Sequence, residues 1–459
     1  MKPRMAKTFN LRTRAKMASV LQRIQNFFKH DIQMTSTSLP TRTGRMYFLK
    51  LSMIVVLMML FAVTNDVIAT EFEIPSQRKV YNIFPADMAS GPNYRIRADV
   101  TSYGYMHYYT VNSKFGVFKV AGDYGLRKLL LEIRAIAALK EVKKSKAFTN
   151  SVKEAAIKPL YFGKDLILEP VDTVTGIPKG VFQLFHNVAK GLYEKKDPSE
   201  DPRYKQALLM SSYKRDIAYE LGVDVYSSNS VLQEELNSVG WAGALGSLSF
   251  SAITAPAGLP AIKLLKAARF GKQLNEVLKA EPPARLRIIN EKKMATMGIP
   301  SYRIKNFLNH PYFTPLHDTV IVDCLSRLRR VRGRSRFIHF ILKAEDEESA
   351  NFFQNMAETM RGYNQTIAPI KEIKIVGGLP VAEAENGSAL IPLPLDHGVW
   401  TERADKIMKN FVASYKPSRR VKKLELWVTG TLSPLARENI QSLGIEILEK
   451  VDERIEYMY

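Results

Sequence analysis

One short apolar segment near the amino terminus constrains this chain more than any other feature. Residues 51–64 carry no charged side chain, and the basic residues Arg45 and Lys50 flank this apolar run on its amino-terminal side. A basic flank, a short apolar stretch and a small residue such as Ala69 at a cleavage position are typical of a secretory signal. The sequence therefore predicts that residues 46–69 direct the rest of the chain out of the compartment of its synthesis.

Other interpretations of the amino terminus remain open. An apolar stretch extended to residues 47–69 is nearly long enough for a membrane span of about 20 residues. A retained anchor would leave its basic side cytoplasmic and residues 70–459 outside. Residues 1–45 also resemble a basic transit peptide, or they precede the true start of translation at Met34 or Met46.

Composition indicates an exported body that is globular and basic. The chain has 459 residues, enough for two or three domains, and its 46% apolar and 24% charged content argues against wholesale disorder. Residues 70–459 hold 56 basic and 43 acidic side chains, which favours anionic partners. The single cysteine, Cys324, excludes an intramolecular disulfide, so stability must come from packing.

The body begins with a predicted small sheet and a covering helix. Residues 94–122 are rich in Tyr, Val and Phe and begin with period-two alternation, which predicts a three-stranded meander. Residues 126–142 change to a helical period with one broad apolar stripe. Since neither element can bury its apolar surface alone, we expect the helix to pack on the sheet.

The middle of the chain is predicted to be helical. The candidate helices cover residues 147–162, 174–194, 204–221, 230–253, 258–279 and 302–326. Within them, residues 240–262 lack any charged side chain but include Pro256 and Pro260, which disfavour a membrane span. We expect a buried helical hairpin there, with a membrane-active hairpin as the alternative.

The last part of the chain alternates predicted strands and helices. Strands are predicted at residues 336–344, 370–378, 381–385, 388–393, 422–430 and 445–451, and helices at 345–363, 401–415 and 433–444. Asn386-Gly387 between alternating segments is a strong hairpin signal. This pattern favours an α/β domain with a mixed sheet whose hairpin is antiparallel.

These elements give a mixed α+β and α/β fold class with five segments. They are a basic extension (1–45), a signal or anchor (46–69), a small β-meander with helices (70–165), a helical region (166–330) and a carboxyl-terminal α/β domain (331–459).

Asp396 and His397 are the candidate catalytic residues. They fall in a predicted loop between a strand and a helix, where α/β domains often carry their sites. Residues 429–433 follow the next strand, and their backbone N–H groups could hold an anion at the start of a helix. If these residues form a site, they should converge in space. The simpler interpretation is a turn and two helix caps, at Thr401 and Ser433.

The remaining motifs point away from metal and cofactor chemistry. His317, Asp318 and Cys324 lie close in sequence, but helical spacing puts His317 and Cys324 two turns apart. None of the seven histidines shows a metal-ligand spacing, and neither a dinucleotide nor a P-loop motif is present. We therefore expect no metal ligands and no cofactor.

Two basic clusters give the clearest indication of a partner. The predicted anion-binding or membrane-surface residues are Arg327, Arg329, Arg330, Arg332, Arg334, Arg336, Arg419, Arg420, Lys422 and Lys423. Each cluster precedes a predicted strand, at residues 337–342 and 423–428. If these strands are parallel, the clusters lie at one edge of the sheet and form a patch suited to lipid head groups. The alternative is two solvated linkers.

The sequence therefore predicts an exported, non-catalytic protein of the periplasm or cell envelope. It would bind an anionic membrane surface or an envelope component through its basic surface. The first alternative is an enzyme with its site in the carboxyl-terminal domain, and the second is a secreted effector with a membrane-active hairpin. Nucleic acid is a poorer partner because no recognition motif accompanies the charge. The oligomeric state stays open.

Overall fold

The computed structural model describes residues 72–149, 202–244 and 272–455, except positions 76, 104 and 147. The signal segment with Ala69, the predicted helix at 174–194 and most of the 240–262 segment lie outside these residues. From Phe72 onward the chain forms one compact unit. Among the described residues, no helix combines the length and the hydrophobicity that a membrane crossing requires.

The amino-terminal part is a six-stranded antiparallel sheet. Its strands are β1 (Gln77–Lys79), β2 (Ser90–Gly91), β3 (Tyr94–Ile96), β4 (Asp99–Tyr103), β5 (Met106–Ser113) and β6 (Gly116–Ala121), and a short helix α1 (Ala86–Ala89) precedes β2. The long central strand β5 pairs with β3 and β4 on one side and with β6 on the other. The sheet is thus larger than the predicted meander.

Helix α2 (Asp123–Lys144) joins this sheet to the helical region. Leu126, Leu129 and Ile133 pack on the sheet with Val100 and Tyr109, as the apolar stripe predicts. The carboxyl-terminal half of α2 packs against helices α3 (Pro202–Leu221) and α4 (Ser230–Ala244). The helix therefore buries apolar surface along its whole length.

Six further helices lead to the carboxyl-terminal sheet. They are α5 (Lys272–Ala280), α6 (Pro283–Thr296), α7 (Ser301–Leu308), α8 (Pro315–Arg327), α9 (Arg334–Ile341) and α10 (Glu347–Thr366). The predicted single helix at 302–326 is wrong, because α7 ends before residues 309–314 and Thr314 caps a new helix. Helix α6 was not predicted at all.

The predicted strand at 337–342 is also wrong, since these residues belong largely to α9. Gly333 takes a left-handed φ of 88° at the start of this helix, and Phe337, Ile338 and Ile341 are fully buried on its core side. A short apolar run fits either a strand or a buried helix, and only its packing partners distinguish the two.

The carboxyl-terminal sheet has five strands, β7 (Ile370–Val376), β8 (Leu379–Ala384), β9 (Ser388–Leu393), β11 (Lys423–Val428) and β13 (Ile445–Leu448). Their order across the sheet is β13, β11, β9, β8, β7. Strands β9, β11 and β13 are parallel, and β7, β8 and β9 pair antiparallel through two hairpins. The mixed sheet with an antiparallel hairpin is confirmed.

Helices cover both faces of this sheet. The crossovers α11 (Glu402–Ser414) and α12 (Pro434–Ser442) pack on one face through residues such as Phe411 and Ile440. Helices α8, α9 and α10 share the core on the other face. This α/β domain and the antiparallel amino-terminal sheet together confirm the mixed α+β and α/β fold class.

Candidate functional site

Two loops meet at the carboxyl ends of the parallel strands β9 and β11. They are joined by a two-stranded parallel pair, β10 (His397–Gly398) with β12 (Thr431–Leu432). Gly430 N donates to Leu395 O at 2.7 Å, and Thr431 N donates to Asp396 O at 3.1 Å. Ligands of open α/β sheets commonly bind at this end of the strands.

Gly430 is required for this close approach. A Cβ atom at that position would lie 1.9 Å from Asp396 O and 2.6 Å from Leu395 O, both of which are backbone atoms. Only a residue without a side chain lets the two loops approach this closely. Asp396, His397 and residues 429–433 are therefore held together in space.

His397 contacts the hydroxyl of Thr431. Its Nδ1 lies 2.8 Å from Thr431 Oγ1, which is hydrogen-bond distance. Partial burial, aided by the nearby charge of Arg78, lowers the pKa of His397 to about 4. The ring is therefore neutral near pH 7 and can accept the hydroxyl proton.

The side chain of Asp396 reaches into the amino-terminal sheet. Its Oδ2 accepts a hydrogen bond from His107 N at 2.8 Å, and its Oδ1 accepts one from Asp123 N at 3.1 Å. Asp123 is the first residue of α2, and Gly122 before it offers no side-chain cap. Asp396 therefore satisfies a donor at the start of a helix that lies 273 residues earlier in the chain.

Three more polar side chains complete this cluster. His107 Nδ1 lies 2.8 Å from Asp123 Oδ1 and 4.0 Å from Asp396 Oδ2. The Tyr109 hydroxyl donates to Asp123 Oδ1 and lies 3.2 Å from His107 Nδ1. We call these four residues, His107, Tyr109, Asp123 and Asp396, the junction cluster, because they join the amino-terminal sheet and α2 to the α/β domain.

The junction cluster is largely buried. His107 is 1% exposed, and the Asp396 side chain is 9% exposed. Burial, together with the charge of Asp123, raises the pKa of Asp396 to about 7. Burial, together with Asp123, likewise raises the pKa of Tyr109, whose hydroxyl stays protonated. The cluster thus holds two carboxyl groups, one imidazole and one neutral phenol at close range.

Sequence reasoning missed His107, Tyr109 and Asp123. His107 and Tyr109 alternate along β5, and no spacing rule relates them to a residue 289 positions later. Only the rule that α/β sites follow strand ends pointed to Asp396. The cluster depends on tertiary contact that no local motif encodes.

Four of the five backbone N–H groups of the 429–433 turn are already bonded within the protein. Gly430, Thr431 and Ser433 donate to the carbonyls of Leu395, Asp396 and Gly398, and Leu432 N donates to the carboxylate of Glu449. These four N–H groups are therefore already used within the protein, which argues against an anion site at this turn. The expected helix caps are present, since Ser433 Oγ accepts from Ala436 N at 3.0 Å and Thr401 Oγ1 accepts from Ala404 N at 3.1 Å.

His317, Asp318 and Cys324 lie in α8 and do not form a catalytic triad. His317 Nδ1 contacts its own cap residue Thr314, and its Nε2 lies 3.0 Å from Asn351 Oδ1. Cys324 is fully buried, and burial followed by the charge of Glu358 raises the pKa of its thiol well above the ordinary value.

The six arginines of the first basic cluster are not equivalent. Arg327 pairs with Asp323 at 2.6 Å, and Arg332 and Arg336 both pair with Glu372 of β7, at 2.8 and 3.1 Å. Arg334 donates to the carbonyls of Leu328 and Met297. Arg329 and Arg330 are exposed, and neither has a carboxylate of the described residues within 4.0 Å.

In the second basic cluster, one cation has acidic partners and three have none among the described residues. Lys423 pairs with Glu425 at 2.6 Å and with Glu446 at 3.4 Å. Arg419, Arg420 and Lys422 are exposed, and no acidic group in the described part of the chain lies within 4.0 Å of them. We call residues 416–422 the basic loop.

The sheet register relates the two clusters. Glu372, which holds Arg332, stands opposite Glu383, Glu383 opposite Ala389, and Ala389 opposite Leu424, next to Lys423. At about 4.8 Å per strand, three strand spacings separate the two positions by about 14 Å. Glu372 lies near the amino-terminal end of β7, and Lys423 lies at the amino-terminal end of β11. The first cluster reaches this end of the sheet through its contacts with Glu372, and it leads into α9, not into a strand.

A second buried charged network lies away from both regions. Lys128 of α2 is paired with Glu347 at 2.9 Å and with Asp224 at 3.8 Å. Glu132, one turn along α2, accepts hydrogen bonds from Ser227 and Asn229. These contacts fix α2 to α10 and to the 222–229 loop.

Comparison with known proteins adds no assignment, since this chain matches neither a protein-family model, nor a curated protein, nor a solved structure.

Proposed function

We propose that the protein is exported to the periplasm or cell envelope, where it acts as a non-catalytic binding protein on an anionic membrane surface. The observation that carries the proposal is the basic loop, in which Arg419, Arg420 and Lys422 are exposed and lack acidic partners among the described residues. Cations that are already paired within the protein gain little from a second anionic partner, so these three, like Arg329 and Arg330, remain available for binding.

The basic loop is held in place by contacts at several points. Lys374 Nζ donates to Lys416 O at 3.2 Å, Ser418 N donates to Glu383 Oε1 at 3.2 Å, and Lys422 N donates to Gly387 O at 2.7 Å. A loop fixed in this way loses little conformational entropy on binding. Its three charges are therefore presented together.

An extended anionic surface suits this charge better than a small ligand. Arg329 and Arg330 follow α8 and belong to the first basic cluster. This cluster reaches the same end of the sheet as the basic loop. Each cation near an anionic membrane contributes about 1 kcal/mol, and the contribution falls off within a Debye length. Three to five cations would give a moderate, salt-sensitive attachment.

Export rests on the signal-like segment at residues 46–69. Mass spectrometry of the native protein tests this part of the proposal. We expect the mature chain to begin near residue 70, or the full segment to remain in a membrane fraction as an anchor. Recovery of the intact chain, with Met1, from the cytosol would contradict export.

Vesicle co-sedimentation tests the membrane part. Residues 72–459 form one compact unit, so this fragment can be used without the apolar segment. We expect binding to vesicles that contain phosphatidylglycerol, loss of binding at high salt, and no binding to pure phosphatidylcholine.

A matched pair of charge-reversal variants locates the surface. The triple variant Arg419→Glu, Arg420→Glu and Lys422→Glu should weaken binding by at least about 3 kcal/mol, or roughly a hundredfold or more, because it removes three cations and adds three carboxylates that the membrane repels. The control variant Arg95→Glu, Arg97→Glu and Lys119→Glu carries the same change in net charge on exposed positions of the amino-terminal sheet. Equal weakening in both variants would indicate a nonspecific charge effect and would contradict the proposed surface.

A second candidate function is catalysis in the carboxyl-terminal domain, and the contact between His397 Nδ1 and Thr431 Oγ1 favours it. A hydroxyl within hydrogen-bond distance of a neutral imidazole is one arrangement used for covalent catalysis. A fluorophosphonate probe should then form an adduct on Thr431 that is absent in His397→Ala but present in the neighbouring Thr429→Ala. Absence of an adduct on Thr431 in the wild-type protein would argue against this function.

A further inference from the structure

We propose that His107, Asp123 and Asp396 of the junction cluster bind a divalent transition-metal ion such as Zn²⁺. One potential ligand atom from each of these residues lies within 4.8 Å of the other two. This site is distinct from the basic loop and does not depend on membrane binding.

The distances between the donor atoms suit a single ion. His107 Nδ1 is 2.8 Å from Asp123 Oδ1 and 4.0 Å from Asp396 Oδ2. Metal bonds of about 2.0–2.2 Å place neighbouring ligand atoms about 3–3.5 Å apart. To form the site, His107 Nδ1 would exchange its contact to Asp123 for a bond to the ion, and the most widely separated donor atoms, which lie within 4.8 Å of each other, would draw together by up to about 1 Å.

Among the described residues, no lysine or arginine compensates the charge of the cluster. No lysine or arginine nitrogen of the described residues lies within 4.0 Å of either Asp123 or Asp396, so only His107 pairs with them. Buried charges are normally paired or coordinate a metal. A divalent cation would neutralise both carboxylates at once.

His107 also has a polar atom that the fold does not use. The residue is 1% exposed, and its Nε2 is buried with no hydrogen-bond partner among the described residues. Only Nδ1, the proposed ligand atom, therefore has polar neighbours, and Nε2 is an exception to the rule that buried polar atoms are almost always paired.

The carboxylates are oriented by hydrogen bonds from groups that are not themselves ligand atoms. The backbone N–H groups of His107 and Asp123 each bond one oxygen of Asp396, and the Tyr109 hydroxyl bonds Asp123. A carboxylate oxygen that accepts one hydrogen bond retains a lone pair for a metal. Supporting hydrogen bonds of this kind are usual around metal ligands.

The donor types select the class of ion. One imidazole nitrogen with two carboxylate oxygens suits Zn²⁺ or Mn²⁺, whereas Ca²⁺ and Mg²⁺ prefer oxygen ligands alone. The ligands come from β5, from the start of α2 and from the loop after β9. A bound ion would therefore also fix the amino-terminal sheet to the α/β domain.

Titration of the chelator-treated full chain tests the proposal. We expect Zn²⁺ to bind with a stoichiometry of one and to raise the melting temperature, and Co²⁺ to give a visible absorption band typical of nitrogen and oxygen ligands. Asp123→Asn and Asp396→Asn should weaken Zn²⁺ binding by at least about tenfold. The control variants Asp99→Asn and His339→Gln change exposed residues outside the cluster and should bind Zn²⁺ as the wild type does.

Three outcomes would contradict the proposal. The first is the absence of Zn²⁺, Mn²⁺ and Co²⁺ binding to the wild-type chain, a measurement that does not depend on the folding of any variant. The second is binding that the cluster variants and the control variants retain equally. Preference for Ca²⁺ or Mg²⁺ over Zn²⁺ would also contradict the role given to His107.

Discussion

The Asp396 carboxylate accepts a hydrogen bond from the backbone N–H of His107 at 2.8 Å, although 289 residues separate the two positions. Through the same carboxylate the α/β domain also holds the first turn of α2. The strand β5, the helix α2 and the loop after β9 therefore form one connected unit.

Removal of the Asp396 carboxylate should loosen this unit. In Asp396→Ala the buried N–H groups of His107 and Asp123 lose their acceptor, at about 1–3 kcal/mol each, while repulsion from Asp123 is relieved. We expect a net loss of about 2 kcal/mol in the free energy of unfolding, measured by urea denaturation with a chelator present. Glu402→Ala, at an exposed position, serves as the control. Equal stability of the two variants would show that Asp396 does not hold the junction.

A side chain at Gly430 should separate the two loops. Its Cβ would lie 1.9 Å from the backbone oxygen of Asp396, so Gly430→Ala forces the β10 and β12 pair apart. We expect a loss of at least about 3 kcal/mol. Gly444 has a φ of 78° with open space around it, so Gly444→Ala carries only the backbone cost of about 1 kcal/mol. Similar melting temperatures for the two variants would contradict the close approach.

The Lys128–Glu347 pair should make stability depend on acid pH. The charge of Lys128 lowers the pKa of Glu347 from 4.5 to about 2. Between these values the unfolded chain binds the extra proton, so the stabilisation is present above pH 4.5 and is lost as the pH falls toward 2.

The size of the pKa shift of Glu347 sets how much stability is lost in acid, and a variant without this carboxylate measures that loss. A shift of this size corresponds to about 3 kcal/mol at neutral pH. We expect Glu347→Gln to be destabilised at pH 6 and to approach the wild type at pH 3 in urea titrations. Glu345→Gln, an exposed neighbour, should follow the wild type at both values. A destabilisation that is equal at pH 3 and pH 6 would exclude the ion pair as its cause.

The single thiol offers a direct check of the core. Cys324 is 0% exposed, and burial raises the pKa of its thiol well above the ordinary value. Since the thiolate is the reactive form, we expect no reaction with a disulfide reagent in the native protein and one equivalent in denaturant. Rapid labelling of the native protein would mean that α8 is not packed as described.

Local sequence signals predicted the local features well. Thr401 and Ser433 cap helices as expected, because a cap depends only on the few residues that follow it. The hairpin at Asn386-Gly387 formed because Gly387 can adopt its φ of 86°. The failure at residues 337–342 came from a short apolar run whose period does not distinguish strand from helix.

The sequence by itself determined the caps at Thr401 and Ser433 and the hairpin, because each depends on neighbours within a few residues, and its alternation of strand-like and helical segments indicated the mixed fold class. Only the tertiary structure decided that His107, Tyr109 and Asp123 meet Asp396, and which cations of the two basic clusters lack acidic partners among the described residues. The physical reason is that a charge or a hydrogen bond acts through distance in space. Chain folding, not spacing along the sequence, brings residues 107, 123 and 396 within reach of one another.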